Sequence, residues 1–251
     1  MSNLSDIGFP AKTGKEYGQL IELAVTEGEL IPCEKGSYLK YTDPSGAQLY
    51  CQINKKKEVL GMNPHFSGQS KFPVAITKKV DRSESALDGS FHCWAAPTDE
   101  KDPESGAYPF VIDLPDFYTL APISFPLYTH LQLSAFAQSE FNIYSSEAEF
   151  NESQKEGMKF ASKSFIATGL FSSNMEDEGQ NTPEAYALFN GIIKEWAKKT
   201  NKISGQHFYW ILTETLGGEI DVLVDPKLIS IEPQKGWILS GQFWLSARVL
   251  I

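Results

Sequence analysis

The sequence predicts an α+β fold, mainly β: an N-terminal antiparallel sheet with one helix, then a C-terminal five-stranded barrel. Three observations carry this. One segment near Thr13 opens a run of apolar residues at helical spacing. Short alternating segments follow it, separated by Gly, Pro, Asn and Asp, which is the order of a meander packed on a helix. The last third, from Tyr186 to Ile251, sets two aromatic-rich alternating runs around a Gly-Gly corner.

The helix starts at Thr13 or Gly14, places Tyr17, Leu20, Ile21, Leu23 and Ala24 on one stripe, and ends near Gly28. Residues 37–42 and 47–53 flank Asp43-Pro44-Ser45-Gly46, a type I turn sequence, and form the clearest hairpin. Lys55-Lys56-Lys57 marks an exposed turn, and residues 58–62, 72–80, 89–95 and 108–113 read as further strands. Asn63–Gly68 reads as a turn that displays His65 with Phe66 tucked under it. Residues 97–106 are a polar loop. Residues 127–138 alternate, with Leu127, Thr129, Leu131, Leu133 and Ala135 on one face, the pattern of a half-buried strand. Residues 145–149 start a short helix, 162–171 form a weak strand, and 172–182 form a loop.

Residues 184–196 have both helical and strand periodicity. Strand is preferred, because Gly191 inside a helix costs about 1 kcal/mol while a strand glycine marks a bend. A basic turn at 198–202, a strand at 207–214, the Gly217-Gly218 corner and a strand at 219–225 follow. Residues 227–231 connect to a final strand or strand pair at 237–249, bent at Gly241. This order, with Gly191, Gly217, Gly218 and Gly241, resembles the OB-fold. That resemblance implies a barrel face that binds oligonucleotides, oligosaccharides or protein segments. The domain division expected is 1–150 for the meander and 151–251 for the OB-like barrel. The chain as a whole looks like a bacterial protein of this general build.

Net charge is −10 over 251 residues. Residues 151–251 hold 10 basic and 12 acidic side chains, so the first 150 carry −8. Such acidity favours solubility and repels nucleic acid at long range. Cys33, Cys51 and Cys93 are odd in number and form no Cys-x-x-Cys, which suits a reducing cytoplasm better than a disulfide framework. No apolar stretch approaches the roughly 18 residues of a membrane span, and the N-terminus has no signal-peptide pattern. A cytoplasmic protein that does not engage a membrane is expected.

The candidate binding set is Phe208, Trp210, Trp237 and Trp244, with Lys198, Lys199, Lys202 and Arg248 as cations. Exposed aromatics flanked by cations suit stacking and phosphate contact. Alternation sends about half of such a set into the core, with Tyr209 opposite Phe208 and Trp210. His65, His92, Cys93 and His130 lack metal-ligand spacing. No Gly-x-Ser-x-Gly occurs, and Cys93 beside His92 is not Cys–His geometry. Asp113 and Asp116 read as paired carboxylates or as turn and cap residues. No catalytic residue, metal or cofactor is therefore expected. The leading expectation is a non-enzymatic binding or protein-interaction module with a protein partner. One alternative is an acidic immunity- or antitoxin-like protein that blocks a basic enzyme by charge complementarity. Others are an OB-type single-stranded nucleic-acid binder, disfavoured by net charge, and an enzyme built from dispersed residues.

Overall fold

The computed structural model describes residues 3–80, 82, 86–120, 122–154, 159–170 and 182–250. Thr13 opens α1 (Gly14–Glu27) with a reciprocal cap. Its Oγ1 accepts from Glu16 N at 3.2 Å, and its own N–H donates to Glu16 Oε2 at 2.9 Å. The helix buries Leu20 and Ala24 and stops at Gly28, whose backbone is extended.

The first sheet is an antiparallel meander of β1 (Glu29–Cys33), β2 (Gly36–Thr42), β3 (Ala47–Asn54) and β4 (Val59–Phe66). Gly46 N–H closes the 43–46 turn on Asp43 O at 2.9 Å, with Gly46 at φ +97°. β1 extends the sheet beyond what the sequence reading gave. It is a mostly exposed edge strand bearing Pro32. A second departure is at residues 63–66, which are not a turn. They complete β4, where Pro64 sits opposite Leu49. Among the described residues β4 has β3 as its only strand neighbour, so Pro64 can turn its donor-less side outward without breaking a ladder.

Alternation divides this sheet into two faces. Leu49, Cys51 and Met62 look toward the α1 side. Tyr38, Lys40, Gln48, Tyr50, Gln52, Asn63 and His65 share the opposite, polar face.

The second sheet holds β5 (Phe72–Val80), β6 (Ser90–Ala95), β7 (Pro109–Asp113), β8 (Leu127–Tyr144), β9 (Ser164–Ile166), β10 (Tyr186–Thr200), β11 (His207–Thr215), β12 (Gly218–Val224) and β13 (Ile238–Leu250). A short α2 (Glu147–Ser153), capped by Ser146, follows β8. The sheet's spine is the antiparallel ribbon of β8 and β13, paired from Tyr144↔Ile238 to His130↔Leu250. At one end of the ribbon, β5 lies beside Leu127–Leu131, and β7 touches β13 at Asp113↔Ser246. Strands β5, β6, β7, β13 and β8 thereby close a ring. Toward the other end, β12 runs beside Ser134–Phe136 and β10 pairs with Ile238–Trp244, so β8, β12, β11, β10 and β13 close a second ring. One apolar cluster lines the inner face of both, with Phe165, Phe189 and Phe243 stacked in it.

Residues 1–150 and 151–251 thus contribute strands to one sheet. The C-terminal segment supplies four strands of the second ring and β8 supplies the fifth. β13 passes Gly241 as one continuous strand with an irregular register there. Of residues 184–196, all from Tyr186 onward are strand, as preferred, and β10 continues to Thr200. The weak strand at 162–171 shortens to β9, and the connector after Asp225 contains a single 3-10 turn, Pro226–Leu228. Of the expected loop at 172–182, only Thr182 is among the described residues. The half-buried pattern expected for β8 is corrected: residues 131–137 are all buried, because the ribbon is covered on both faces. Among the described residues, no helix is long and apolar enough to cross a membrane.

Two glycine substitutions should act with opposite sign. A methyl on Gly191 would run into Thr213 Cγ2 and Glu214 O on β11, so Gly191→Ala should cost roughly 1–3 kcal/mol. Gly18 lies on the exposed side of α1 with open space around it, so Gly18→Ala should add about 0.5–1 kcal/mol. Urea unfolding of the two variants checks both signs.

Candidate functional site

The polar face of the first sheet is turned onto the β8–β13 ribbon, so both sides of that contact carry hydrogen-bonding groups. At its centre stands Asp221 of β12, with no exposure. Its Oδ1 accepts from Trp210 Nε1 at 2.7 Å and Gln69 N at 3.2 Å. Its Oδ2 accepts from Ser70 N at 2.9 Å and Gln132 Nε2 at 2.8 Å. The backbone reaches it because position 68 is glycine; a Cβ there would collide with the carboxylate.

Gln132 passes this order on. Its Nε2 donates to Asp221 and to Ser134 Oγ, so its Oε1 faces His65 Nε2 at 3.0 Å. His65 Nε2 must then carry the ring proton. Nδ1 is left bare and accepts the Ser246 hydroxyl at 2.8 Å. Complete burial, helped by the Arg248 charge, pushes the His65 pKa down to about 3.

A serine hydrogen-bonded to a histidine has the form of an activated nucleophile. A general base works best with a pKa near the operating pH, and His65 lies far below it. Ser246 is only 1% exposed. The relay therefore orients the Ser246 hydroxyl rather than deprotonating it, and turns the oxygen's lone pairs away from His65.

Ser246 lies at the wall of a pocket of about 220 Å³ that also involves Asn63, Arg82, Asp88, Asp113 and Trp244. Arg82 is engaged through all three of its nitrogens. Its Nε donates to Ser90 Oγ at 2.8 Å, and its terminal nitrogens donate to Pro183 O at 2.7 Å and Asp113 Oδ1 at 2.9 Å. Asp113 also accepts from the Ser90 hydroxyl and, on Oδ2, from Trp244 Nε1 at 2.7 Å. Asp113 is thus a paired carboxylate that fixes the indole.

Asp88 is different. Its Oδ1 accepts from two neutral amides, Gln52 Nε2 at 2.5 Å and Asn63 Nδ2 at 2.9 Å. No cation lies within ion-pair distance of it among the described residues. Asp116 makes no cap with its side chain. Burial raises its pKa, while Arg248 and Lys40 pull it back down.

The eight sequence-predicted residues do not converge. Phe208 is buried, edge-on to Phe66 at 6.1 Å, and Trp210 is buried on Asp221, so neither offers a ring to solvent. Trp237 packs against the barrel core. Lys198 and Lys199 belong to β10 rather than to a turn, because pairing with β11 continues to Thr200↔His207. Lys198 Nζ stands 5.9 Å from the Tyr209 ring, and Lys199 Nζ 5.5 Å from the Trp210 ring. Lys202 is exposed, its backbone N–H held by Asp43 Oδ2 at 3.0 Å. Arg248 faces the polar contact near His65 and Lys40. Only Trp244 enters the pocket. Of the residues weighed for metal, His92 bonds Thr77 Oγ1 at 2.8 Å and Cys93 is buried in the barrel core. The residues missed were Asn63, Arg82, Asp88, Gln132, Asp221 and Ser246. No family model matches this chain, and no curated protein or solved structure is significantly similar to it.

His65 gives this site a pH signature. Its folded pKa lies below its unfolded value of about 6.5, so its stabilising effect is full above that pH and drains as pH falls toward 3. At 1.36 kcal/mol per unit, the loss across the window is on the order of 5 kcal/mol. The His65 ring resonances should show no protonation between pH 8 and 4 while the protein stays folded. Titration of His65 near pH 6 would show that the relay is not buried as described.

Proposed function

We propose that the protein is a non-enzymatic binding module, and that its Asp88–Trp244 pocket holds a small cationic group rich in hydrogen-bond donors, such as a primary ammonium. The observation that carries this is the Asp88 carboxylate, which has two neutral amide partners and no cation. A partly buried charge of that kind is stabilised when a ligand brings its counter-ion. The neighbouring groups have the same preference. Ser246 presents lone pairs because its proton points to His65. Trp244 adds an aromatic ring to the lining, a residue type that attracts cations. An ammonium has three donors and no acceptor, which matches the acceptors Asp88 and Ser246 on a wall where Arg82 is already paired with Asp113. A pocket of about 220 Å³ is below the usual drug-sized range, so the bound part is small.

The neutral His65 and the covered Ser246 support binding over catalysis. The net charge of −10 favours a second source for the cation: a lysine or arginine side chain of a basic partner protein, as an immunity- or antitoxin-like role requires. The buried rings of Phe208 and Trp210 give the single-strand reading no stacking surface.

Calorimetric titration with n-propylammonium, n-propanol and propionate separates these cases. Binding of the ammonium alone is expected. Asp88→Asn keeps both amide bonds and should weaken binding tenfold or more, since a charge-assisted hydrogen bond contributes about 1.5–3 kcal/mol. Equal affinity for propanol, or an unchanged Asp88→Asn variant, would sink the proposal. A partner-supplied cation predicts instead that Nα-acetyl-lysine amide binds more tightly than propylammonium.

A further inference from the structure

A second pocket, of about 420 Å³, opens where the N-terminal segment meets the ends of β10 and β11 and the turn after β12. We propose that it binds a small amphipathic organic anion, a carboxylate or sulfonate with an apolar body. This is independent of the Asp88 site and of the ligand proposed there.

The lining has two chemistries. Pro10, Ala11 and Pro226 give it an apolar surface. Lys12, Lys198, Lys227 and His207 surround that surface, and the Asp225 carboxylate is the one acidic side chain in the lining, so the cations outnumber it. Three lysines on one pocket are unexpected in a chain of net charge −10. Lys12 and Lys198 make no ion pair among the described residues. Lys227 is held only loosely, 3.9 Å from Asp225. Thr200 Oγ1 engages His207 Nδ1 at 2.9 Å, so Nε2 is the ring nitrogen left for a ligand. Like charges gathered around one cavity repel, and an anion between them removes the repulsion.

The walls are pre-built. Asn201, fully buried, donates from Nδ2 to Ile7 O at 3.1 Å and accepts on Oδ1 from Ile203 N and Ser204 N. Ser204 Oγ donates to Gly8 O at 2.6 Å. These bonds tie the 201–206 turn to the N-terminal segment. Gly8 is needed there, at φ +75° with the Asn201 side chain against its Cα. The third wall is tied in by Asp225 N–H, which donates to Asp6 Oδ1 at 3.0 Å. Asp6 Oδ2 is buried with no hydrogen-bond partner among the described residues. Burial and the neighbouring Asp225 charge hold the Asp6 carboxyl well above the usual range, so it offsets less of the lysines' charge. Three segments remote in sequence are thus locked around the cavity before any ligand arrives, which lowers the ordering cost of binding. The volume lies in the range that takes a drug-sized organic molecule.

The test uses the full chain and a fluorescent anion of this class, 1-anilinonaphthalene-8-sulfonate, at neutral pH, with an unfolding curve recorded alongside to check that the protein is native. Saturable binding is expected, with displacement by octanoate and not by octanol or octylammonium. Lys198→Glu should weaken octanoate at least tenfold, and Lys198→Gln by a smaller factor. Asp88→Asn should change nothing here. Should Lys198→Glu fail to fold, Lys198→Gln and Lys227→Gln carry the same comparison. Displacement by octanol as good as by octanoate would overturn the proposal. So would an absence of saturable binding, or an affinity indifferent to all three lysine variants.

Discussion

Everything outside the barrel core depends on one constraint: a polar strand face has been buried, so each of its groups must find a partner there. A sheet-to-sheet contact is ordinarily apolar, and an unsatisfied buried polar group costs about 1–3 kcal/mol. Here β3 and β4 bring Gln52 and Asn63 against Asp88, and His65 against Ser246 and Gln132, which in turn bonds Asp221. The cost is avoided because the donors and acceptors form an ordered chain. Asp221 accepts four bonds, Gln132 has one orientation, His65 has one tautomer, and Ser246 has one direction for its proton. A register slip of one residue in β4 would send His65 to the α1 side and leave Gln132 and Ser246 unpaired. The network thus specifies how the two sheets dock as much as it stabilises them.

The same constraint produces the pocket's charge. Two carboxylates stand at the edge of the contact, and their environments differ. Asp113 has a guanidinium, a hydroxyl and an indole N–H. Asp88 has amides only. Had Asp88 served structure alone, an asparagine could have accepted the same two bonds without bringing a charge into a half-buried position. Keeping the carboxylate there costs solvation in the empty protein. That asymmetry, more than the pocket's shape, separates a site from a structural seam.

Much of the fold was legible in the sequence, and the reasons it stopped are physical. Thr13 and Glu16 announced the helix, Asp43–Gly46 the first hairpin, and Gly191 the bend in β10, because these signals are local. Pro64 misled, since proline reads as a turn unless the strand is known to be an edge. The polar half of β3, with Gln48, Tyr50 and Gln52, has the alternation of a solvated surface; nothing in its own composition reveals that a second sheet covers it. Trp244 and Asp113 were noticed singly, from aromatic content and from carboxylate spacing. Their union needed the β7–β13 contact, a single bridge between residues far apart in the chain. Lys198 and Lys199 drew notice as a basic turn, yet strand pairing gives them to opposite faces of β10. Only the structure shows which lysine belongs to a cavity.

The proposed binding role draws its support from how the histidine is held. For His65 to take a proton from Ser246, it would have to become a cation at a fully buried position, with Arg248 and Lys40 adding repulsion. Its other nitrogen faces an amide oxygen, which is a weaker support for an imidazolium than a carboxylate would be. The carboxylate that could stabilise that cation, Asp221, lies one residue further along, with its four bonds spent on Gln132, Trp210 and the 69–70 backbone. The arrangement lowers the energy of one neutral, fixed state. It offers nothing to a developing charge, which is the reverse of what acid–base catalysis requires.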